Sequence, residues 1–561
     1  MKRLVIAEKP SVAQSIAKVL NCTGRQDGYL ESNDYLVSWC VGHLVELAEP
    51  ESYDGKYEIW KREDLPIIPE EYQYQVASAT KKQFRILKEL MHRSDVDAVV
   101  NACDAGREGE LIFRLVYEEV GCNKKMMRLW ISSMEDEAIR SGFEHLESGE
   151  KYDSLYEAAL CRERADWLVG INATRLFSVL YHRTLNIGRV MSPTLALIVQ
   201  REAEIDTFKP VPFYTVVLEL PGFSVSGERM ADKVAAEQLK AACQSADVTV
   251  KKVECRDKSE KPPALYDLTT LQRDANRLLG YTAQQTLDYL QNLYEKKLCT
   301  YPRTDSRYLT SDMAESLPVL VNLVANAMPF RKGIAISCDA AQVINDKKVT
   351  DHHAVIPTRN LQNADLSGLP VGEKAVLELV SLRLLCAVAQ PYTFAETAVV
   401  VECAGAEFTA KGKTVKRPGW RALDTAYRSA LKNAEPEAED KALPELTEGQ
   451  TLPLSGAAVK EGKTSPPKHF TEDTLLSAME TAGKENMPED AERKGLGTPA
   501  TRAGILEKLV STGFLERKKS KKAVQLMPSK DAVSLITVLP EQLQSPLLTA
   551  EWEHRLSEIE R

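Results

Sequence analysis

The 561-residue chain has no run of about 18 apolar residues, so no segment reads as a membrane-spanning helix. Its start, MKRLVIAEKPSVAQS, has two basic residues and a very short apolar run before Glu8 and Lys9, which excludes a signal peptide. Its eleven cysteines form no CxxC pair. That argues against a zinc ribbon and a disulfide framework, and for a reducing, cytoplasmic setting. Basic residues are outnumbered, 72 against 81 acidic, for a net charge of −9. Such a balance speaks against nucleic acid as a partner, because phosphate contacts need Lys and Arg. Local distribution matters more than the sum, however. Basic residues cluster in KRPGWR (416–421) and RKKSKK (517–522), while acid gathers in a linker-like stretch, AEPEAEDK (434–441).

What is present is the composition of an ordinary globular protein, 43% hydrophobic and 27% charged. The length is too great for one core and suggests about three to five domains. Residues 3–7 (RLVIA) read as a buried strand, and Ser11 as the N-cap of a helix through Val12, Ile16, Val19 and Leu20. Residues 97–103 (DAVVNAC) repeat the design, followed by DAGREGE and a helix carrying Leu111, Ile112, Leu115 and Val116. Two strand–turn–helix units imply a parallel α/β sheet. Ligands collect beyond the carboxyl ends of such strands. Glu8 and Asp104 stand just past two of them, and if those strands are neighbours the carboxylates meet near helix N-termini. That arrangement suits Mg²⁺, which takes oxygen ligands. The plain alternative is two helix-capping acids.

A second organisation lies further on. Aligning TAQQTLDYLQNLYEKKLC from Thr282 with TPATRAGILEKLVSTGFL from Thr498 puts Leu290 on Leu506, Leu293 on Leu509, Leu298 on Phe514 and Cys299 on Leu515. The later copy continues as FLERKKSKKAVQLMPS, two short strands around a basic turn. Two winged helix-turn-helix modules follow from this pattern, a fold that sets a helix and a basic wing against DNA. Tyr301 would then open the wing strand of the first module, exposed rather than buried. Residues 211–260 and 396–460 alternate β-branched and polar residues and read as one all-β domain made of two separated stretches.

Taken in order, VIAEKPSVA, DAGREGELIFR, IGRVMSPTLALI, TYPRTDS, TDHHAVIPT and GLGTPATRA resemble the type IA DNA topoisomerases, in particular the bacterial topoisomerase III branch. The resemblance covers nearly the whole chain. It implies a multidomain α/β plus α+β toroid: a Toprim catalytic and metal domain (1–150), a winged-helix-like DNA-binding domain (151–210 with 471–561), a β-rich arch (211–265 with 396–470), and a second winged-helix-like domain carrying the nucleophile (266–395).

The resemblance also implies roles. Tyr301 attacks a phosphodiester and forms a 5′-phosphotyrosyl bond without ATP. Arg303, two residues along on the same face of an extended strand, holds the phosphate or favours phenolate. Glu8 is the general acid and a metal ligand, Lys9 stabilises phosphate charge, and Asp104 and Glu108 complete the Mg²⁺ acids. The middle acid of the family's DxDxE motif is replaced by Gly106, which leaves a second metal ion in doubt. His352 touches the phosphate, with His353 the competitor; beside an aspartate it would gain positive charge near neutral pH.

Strand binding falls to Ile187, Gly188, Arg189, Val190, Met191 and Ser192, with Arg162, Arg164, Asp166, Trp167 and Arg175 of a strand-holding helix, and to Lys61. Met191 replaces a glutamine common in the family. Trp167 reads equally as a core residue or as a stacking platform for a base. The partners implied are single-stranded, negatively supercoiled or catenated DNA, and a RecQ-type helicase or single-strand-binding protein. The protein would act as a monomer in the bacterial cytoplasm, associated with the nucleoid. A Toprim nuclease or primase, or a non-catalytic winged-helix protein, are the rival readings. The chain stops at EWEHRLSEIER inside a helical pattern, which reads as the loss of a C-terminal region carrying zinc ribbons or a basic tail.

Overall fold

A computed structural model describes residues 1–561 except 132–133, 332, 350–351, 432–440, 484–494 and 521–522. Most of the acidic stretch 434–441, the two lysines at the tip of the basic turn and the aspartate before His352 therefore lie outside the described residues.

The N-terminal sheet has its strands in the order Gly24–Gln26, Tyr29–Glu31, Tyr35–Trp39, Lys2–Ala7, Val96–Ala102, Lys125–Arg128, Glu147–Ser148. Lys2–Ala7 pairs in parallel with both Tyr35–Trp39 and Val96–Ala102, in a register that sets Ala7 opposite Ala102. Leu4, Val5 and Ile6 are fully buried because helices cover both faces, the condition under which parallel sheets form. The first helix is Pro10–Val19, with Lys9 at the N-cap. Ser11 is thus inside the helix: proline has no N–H to lose and a φ already helical, so it takes the first position instead.

The second sheet is antiparallel and draws on distant segments. Its order is Thr451–Leu452, Val248–Glu260, Tyr392–Cys403, Ala406–Arg417, Phe223–Met230, Pro212–Leu220, Gly456–Lys463. The chain leaves this sheet after Glu260 and re-enters it at Tyr392, and the segment between forms a helical body with its own core.

The two aligned segments become helices Ala283–Glu295 and Pro499–Ser511. Thr282 Oγ1 accepts from Gln285 N at 3.1 Å, and Thr498 N donates to Thr501 Oγ1 at 3.0 Å. Both starts carry capping boxes, which satisfy the otherwise orphaned first-turn donors. All four aligned pairs are buried: Leu290 with Leu506, Leu293 with Leu509, Leu298 with Phe514, Cys299 with Leu515. The second copy continues into the hairpin Leu515–Lys519 and Val524–Pro528.

The first copy differs. Residues after Leu298 form no regular strand; they meet 354–358 through an isolated bridge, Cys299 with Pro357, and scattered bonds such as Thr300 N to Ile356 O and Ile356 N to Thr300 Oγ1, both at 3.0 Å. Tyr301 therefore stands on no wing strand, and it is buried, with 7% of its surface exposed. The N-terminal domain packs over it, a contact that no local pattern encodes.

Candidate active site

Glu8 follows the strand Lys2–Ala7 and Asp104 follows Val96–Ala102, so the neighbouring strands bring both carboxylates to one edge. The loop bearing Asp104 is fixed from beneath. Arg128, fully buried, donates through Nη1 to Cys103 O at 2.8 Å and through Nη2 to Asp104 O at 2.9 Å. Its charge is met by Glu110, 3.1 Å away, which also binds Arg114 at 3.0 Å and accepts from Asn101 Nδ2 at 2.9 Å. A buried ion pair orients such a loop more than it stabilises the fold. Gly106 has φ +143°, a conformation nearly confined to glycine, and a Cβ on Gly109 would lie 2.0 Å from Asp104 O. Both glycines are therefore dictated by the backbone.

Against this edge the helical body delivers Tyr301, whose phenol donates to Asp104 Oδ2 at 3.2 Å. Burial first, then Asp104 and Glu8, pushes the phenol well above its ordinary pKa, and Arg303 opposes this. Arg303 Nη1 lies 3.9 Å from Glu8 Oε1. Arg303 lies in a bend rather than a strand, so shared strand facing is not what brings it here. Burial, and then the charge of Asp104, pushes Glu8 up to about 7. Glu8 Oε2 and Arg303 Nε are buried without a hydrogen-bond partner among the described residues.

His352 stacks on Tyr301, ring centroids 4.0 Å apart, and its Nε2 lies 2.7 Å from Ala105 O. Because that partner is a carbonyl, Nε2 carries the proton and Nδ1 is left as an acceptor. Burial drives His352 below its ordinary value, so it is neutral where a positive charge was expected. His353 turns away and donates to Ala354 O at 2.8 Å.

Lys9, Arg303, Glu8 and Glu108 line a cleft of about 640 Å³. Glu108 is paired with His43, whose Nε2 is 2.6 Å from Oε1. Among the described residues no cluster of three or more His, Cys, Asp or Glu side chains gathers as a metal cage. Arg128, Glu110 and His43 were missed from sequence. The acidic GREGE pattern held the only signal, and it could not say which glutamate faced inward.

The strand-binding candidates separate into two groups. Arg164 reaches Tyr74 Oη at 3.4 Å and lies over the Tyr72 ring, while half-buried Trp167 meets Tyr53 and Tyr72 edge-on or tilted. Lys61 is exposed. By contrast Arg175 is buried and donates to Tyr57 O at 2.6 Å, and Arg189 is buried against Asp166 at 2.9 Å. Arg162 approaches Asp166 at 3.8 Å. Ile187 is buried, Val190 and Met191 pack on the same core, and Ser192 Oγ accepts from Gly188 N at 3.3 Å. Gly188 has room for a Cβ at ordinary contact distance.

A carboxylate edge thus meets a buried tyrosine and an arginine where the N-terminal sheet abuts the helical body, and the sequence matches name the family. Residues 3–134 match the Toprim domain and residues 150–561 the family described as DNA topoisomerase. The chain belongs to the type IA DNA topoisomerases and is an isomerase. Its relatives include DNA topoisomerase 3 of Bacillus subtilis, 42% identical across all of this chain and 78% of the relative, and that of Bacillus licheniformis, 40% identical over the same shares. In fold it resembles full-length topoisomerase I of Thermotoga maritima, with TM-score 0.75 at 21% identity, covering 99% of this chain and 86% of that one.

Proposed function

We propose that the chain cuts one DNA strand with Tyr301, holds the 5′ phosphate covalently, passes another strand and reseals the first. The observation that carries this is the phenol of Tyr301 held on Asp104 beside Arg303 and Glu8. In cleavage the Tyr301 oxygen bonds to phosphorus as the bond to the 3′ oxygen breaks. Asp104 Oδ2, already accepting from the phenol, takes its proton. Glu8, with its carboxyl near 7, is partly protonated at neutral pH and protonates the leaving oxygen. Arg303 and Lys9 hold the phosphate charge, and His352 packs the phenol in place. One phosphodiester replaces another of similar free energy, so resealing runs the same steps backward without ATP.

The donor set at this edge fits Mg²⁺: carboxylate oxygens, one of them buried and unpartnered among the described residues, on a buried Glu8 whose charge the half-buried Asp104 opposes and a cation would relieve. Glu8 and Asp104 would hold it, with Glu108 recruited only by leaving His43. Bound there, it supplies positive charge beside the scissile phosphate.

The division into a Toprim domain (1–150), a strand-binding domain (151–210 with 471–561), an arch (211–265 with 396–470) and a tyrosine-bearing domain (266–395) assigns the arch the work of a hinge. The substrate class is single-stranded, negatively supercoiled or catenated DNA, with a RecQ-type helicase or single-strand-binding protein as partner. The setting is the bacterial cytoplasm beside the nucleoid, with the protein acting as a monomer.

Covalent trapping tests the reading. With a 3′-labelled single-stranded oligonucleotide and Mg²⁺, denaturant should leave label on the protein, and Tyr301→Phe should abolish this while binding persists. Free cut fragments from that variant would mark a nuclease instead.

A further inference from the structure

Two arginines of the expected strand path, Arg162 and Arg189, together with Arg107 already hold an anion, and it belongs to the protein. Glu553 projects from the C-terminal helix Pro546–Glu560 with its side chain only 6% exposed. Its Oε2 lies 3.2 Å from Arg107 Nη1, and its Oε1 lies 3.5 Å from Arg189 Nη2 and 3.7 Å from Arg162 Nη2. The three guanidiniums come from three separate places: the start of the helix after the acid loop, the long helix Asp153–Leu180, and the segment before Met191–Thr207. Beside Glu553, the Trp552 ring lies 4.9 Å from the Arg189 guanidinium carbon.

Burial opposes charge on Glu553, yet Arg162, Arg189 and Arg107 outweigh it and hold the carboxyl below its ordinary range. Two oxygens shared among converging guanidiniums is also how arginine forks hold a backbone phosphate. Donor capacity remains, since Arg189 Nη1 is buried without a hydrogen-bond partner among the described residues. Arg189 cannot reach a strand while its other nitrogens serve Asp166 and Glu553 and its side chain is 1% exposed.

We propose that Glu553 occupies the seat of a strand phosphate, so that the C-terminal helix competes with single-stranded DNA for Arg162 and Arg189 and withdraws as a strand enters. This rests on reading those arginines as part of the strand groove. If Glu553 only braced the arginines for DNA, its loss would weaken binding; as a competitor, its loss strengthens it.

The test is binding of a fluorescein-labelled single-stranded oligonucleotide across a salt series, with the full chain carrying Tyr301→Phe and with the same chain carrying Glu553→Gln in addition. Neutralising Glu553 should tighten binding about tenfold and steepen the salt dependence by about one released ion. Equal or weaker affinity overturns the inference. Hydrogen exchange on the chain without Glu553→Gln gives a second reading. Saturating oligonucleotide should speed exchange across Pro546–Glu560, and unchanged or slower exchange overturns the proposal. If neither protein binds the oligonucleotide at all, the strand-groove reading itself falls and this inference falls with it.

Discussion

Tyr301 and Asp104, 197 residues apart in the chain, share a 3.2 Å hydrogen bond in which the phenol donates to the carboxylate. The bond couples the proposed nucleophile to one of the two acids proposed to hold Mg²⁺, and it keeps the resting phenol protonated.

Removing that carboxylate should slow cutting. Asp104 accepts the proton of the phenol, so Asp104→Asn takes away the base and weakens the Mg²⁺ seat as well. The single-turnover cleavage rate, read as covalent adduct after denaturation, should fall about 10²- to 10⁴-fold. An undiminished rate would count against Asp104 as the base.

Arg303 faces the site with a buried, unpartnered Nε and a terminal nitrogen near Glu8. Arg303→Ala should lower the single-turnover cleavage rate by about 10²- to 10³-fold, the scale of one lost transition-state donor. Arg303→Lys should recover only part, because a point charge cannot reproduce the planar fork.

Gly106 occupies the place of an acid in the family motif, and its φ of +143° says why an acid cannot simply be restored. Gly106→Asp should destabilise the protein by about 1–3 kcal/mol in urea unfolding. It should leave Mg²⁺ affinity no higher, as read by calorimetry.

His352 and His353 are both held below the ordinary value of 6.5, mainly by burial. Below that pH the unfolded chain binds protons that the native state refuses, so stability is unaffected above about 6.5 and falls as pH drops further. The slope approaches about 1.4 kcal/mol per pH unit for each histidine. His353→Gln should flatten the fall in thermal midpoint between pH 6.5 and 5. An unchanged slope would show that other groups govern it.

Lys297 on the tyrosine-bearing body pairs with Asp136 of the N-terminal body at 2.7 Å, and Lys18 lies 3.5 Å from the other oxygen of Asp136. Parting these bodies must break the contact. A partly exposed pair is worth about 0.2–1 kcal/mol, so Lys297→Ala should speed relaxation of supercoiled DNA up to about fivefold at low salt. The gain should vanish at high salt, where screening has already weakened the pair. A gain that persists at high salt would place the effect elsewhere.

How much of this was legible in the chain depends on distance. The strand–turn–helix units were readable because apolar periodicity is local, and the neighbouring of two strands made Glu8 and Asp104 a pair. The four matched apolar positions of the repeat were readable for the same reason, and all are buried. Tyr301 was identifiable through its motif, but its burial was not, because the covering surface comes from the N-terminal domain. The neutral state of His352 was hidden likewise, since desolvation depends on what packs around a ring and not on its neighbours in sequence.

By itself the sequence determined the first strand–turn–helix units, the two-part antiparallel sheet and a set of candidate site residues, since periodicity, capping and motif spacing are properties of short segments. Only the tertiary structure decided which groups meet and in what state: the phenol on Asp104, Glu108 on His43, and Glu553 amid three arginines. Desolvation and Coulomb terms act through space, and the folding of distant segments onto one another sets those distances.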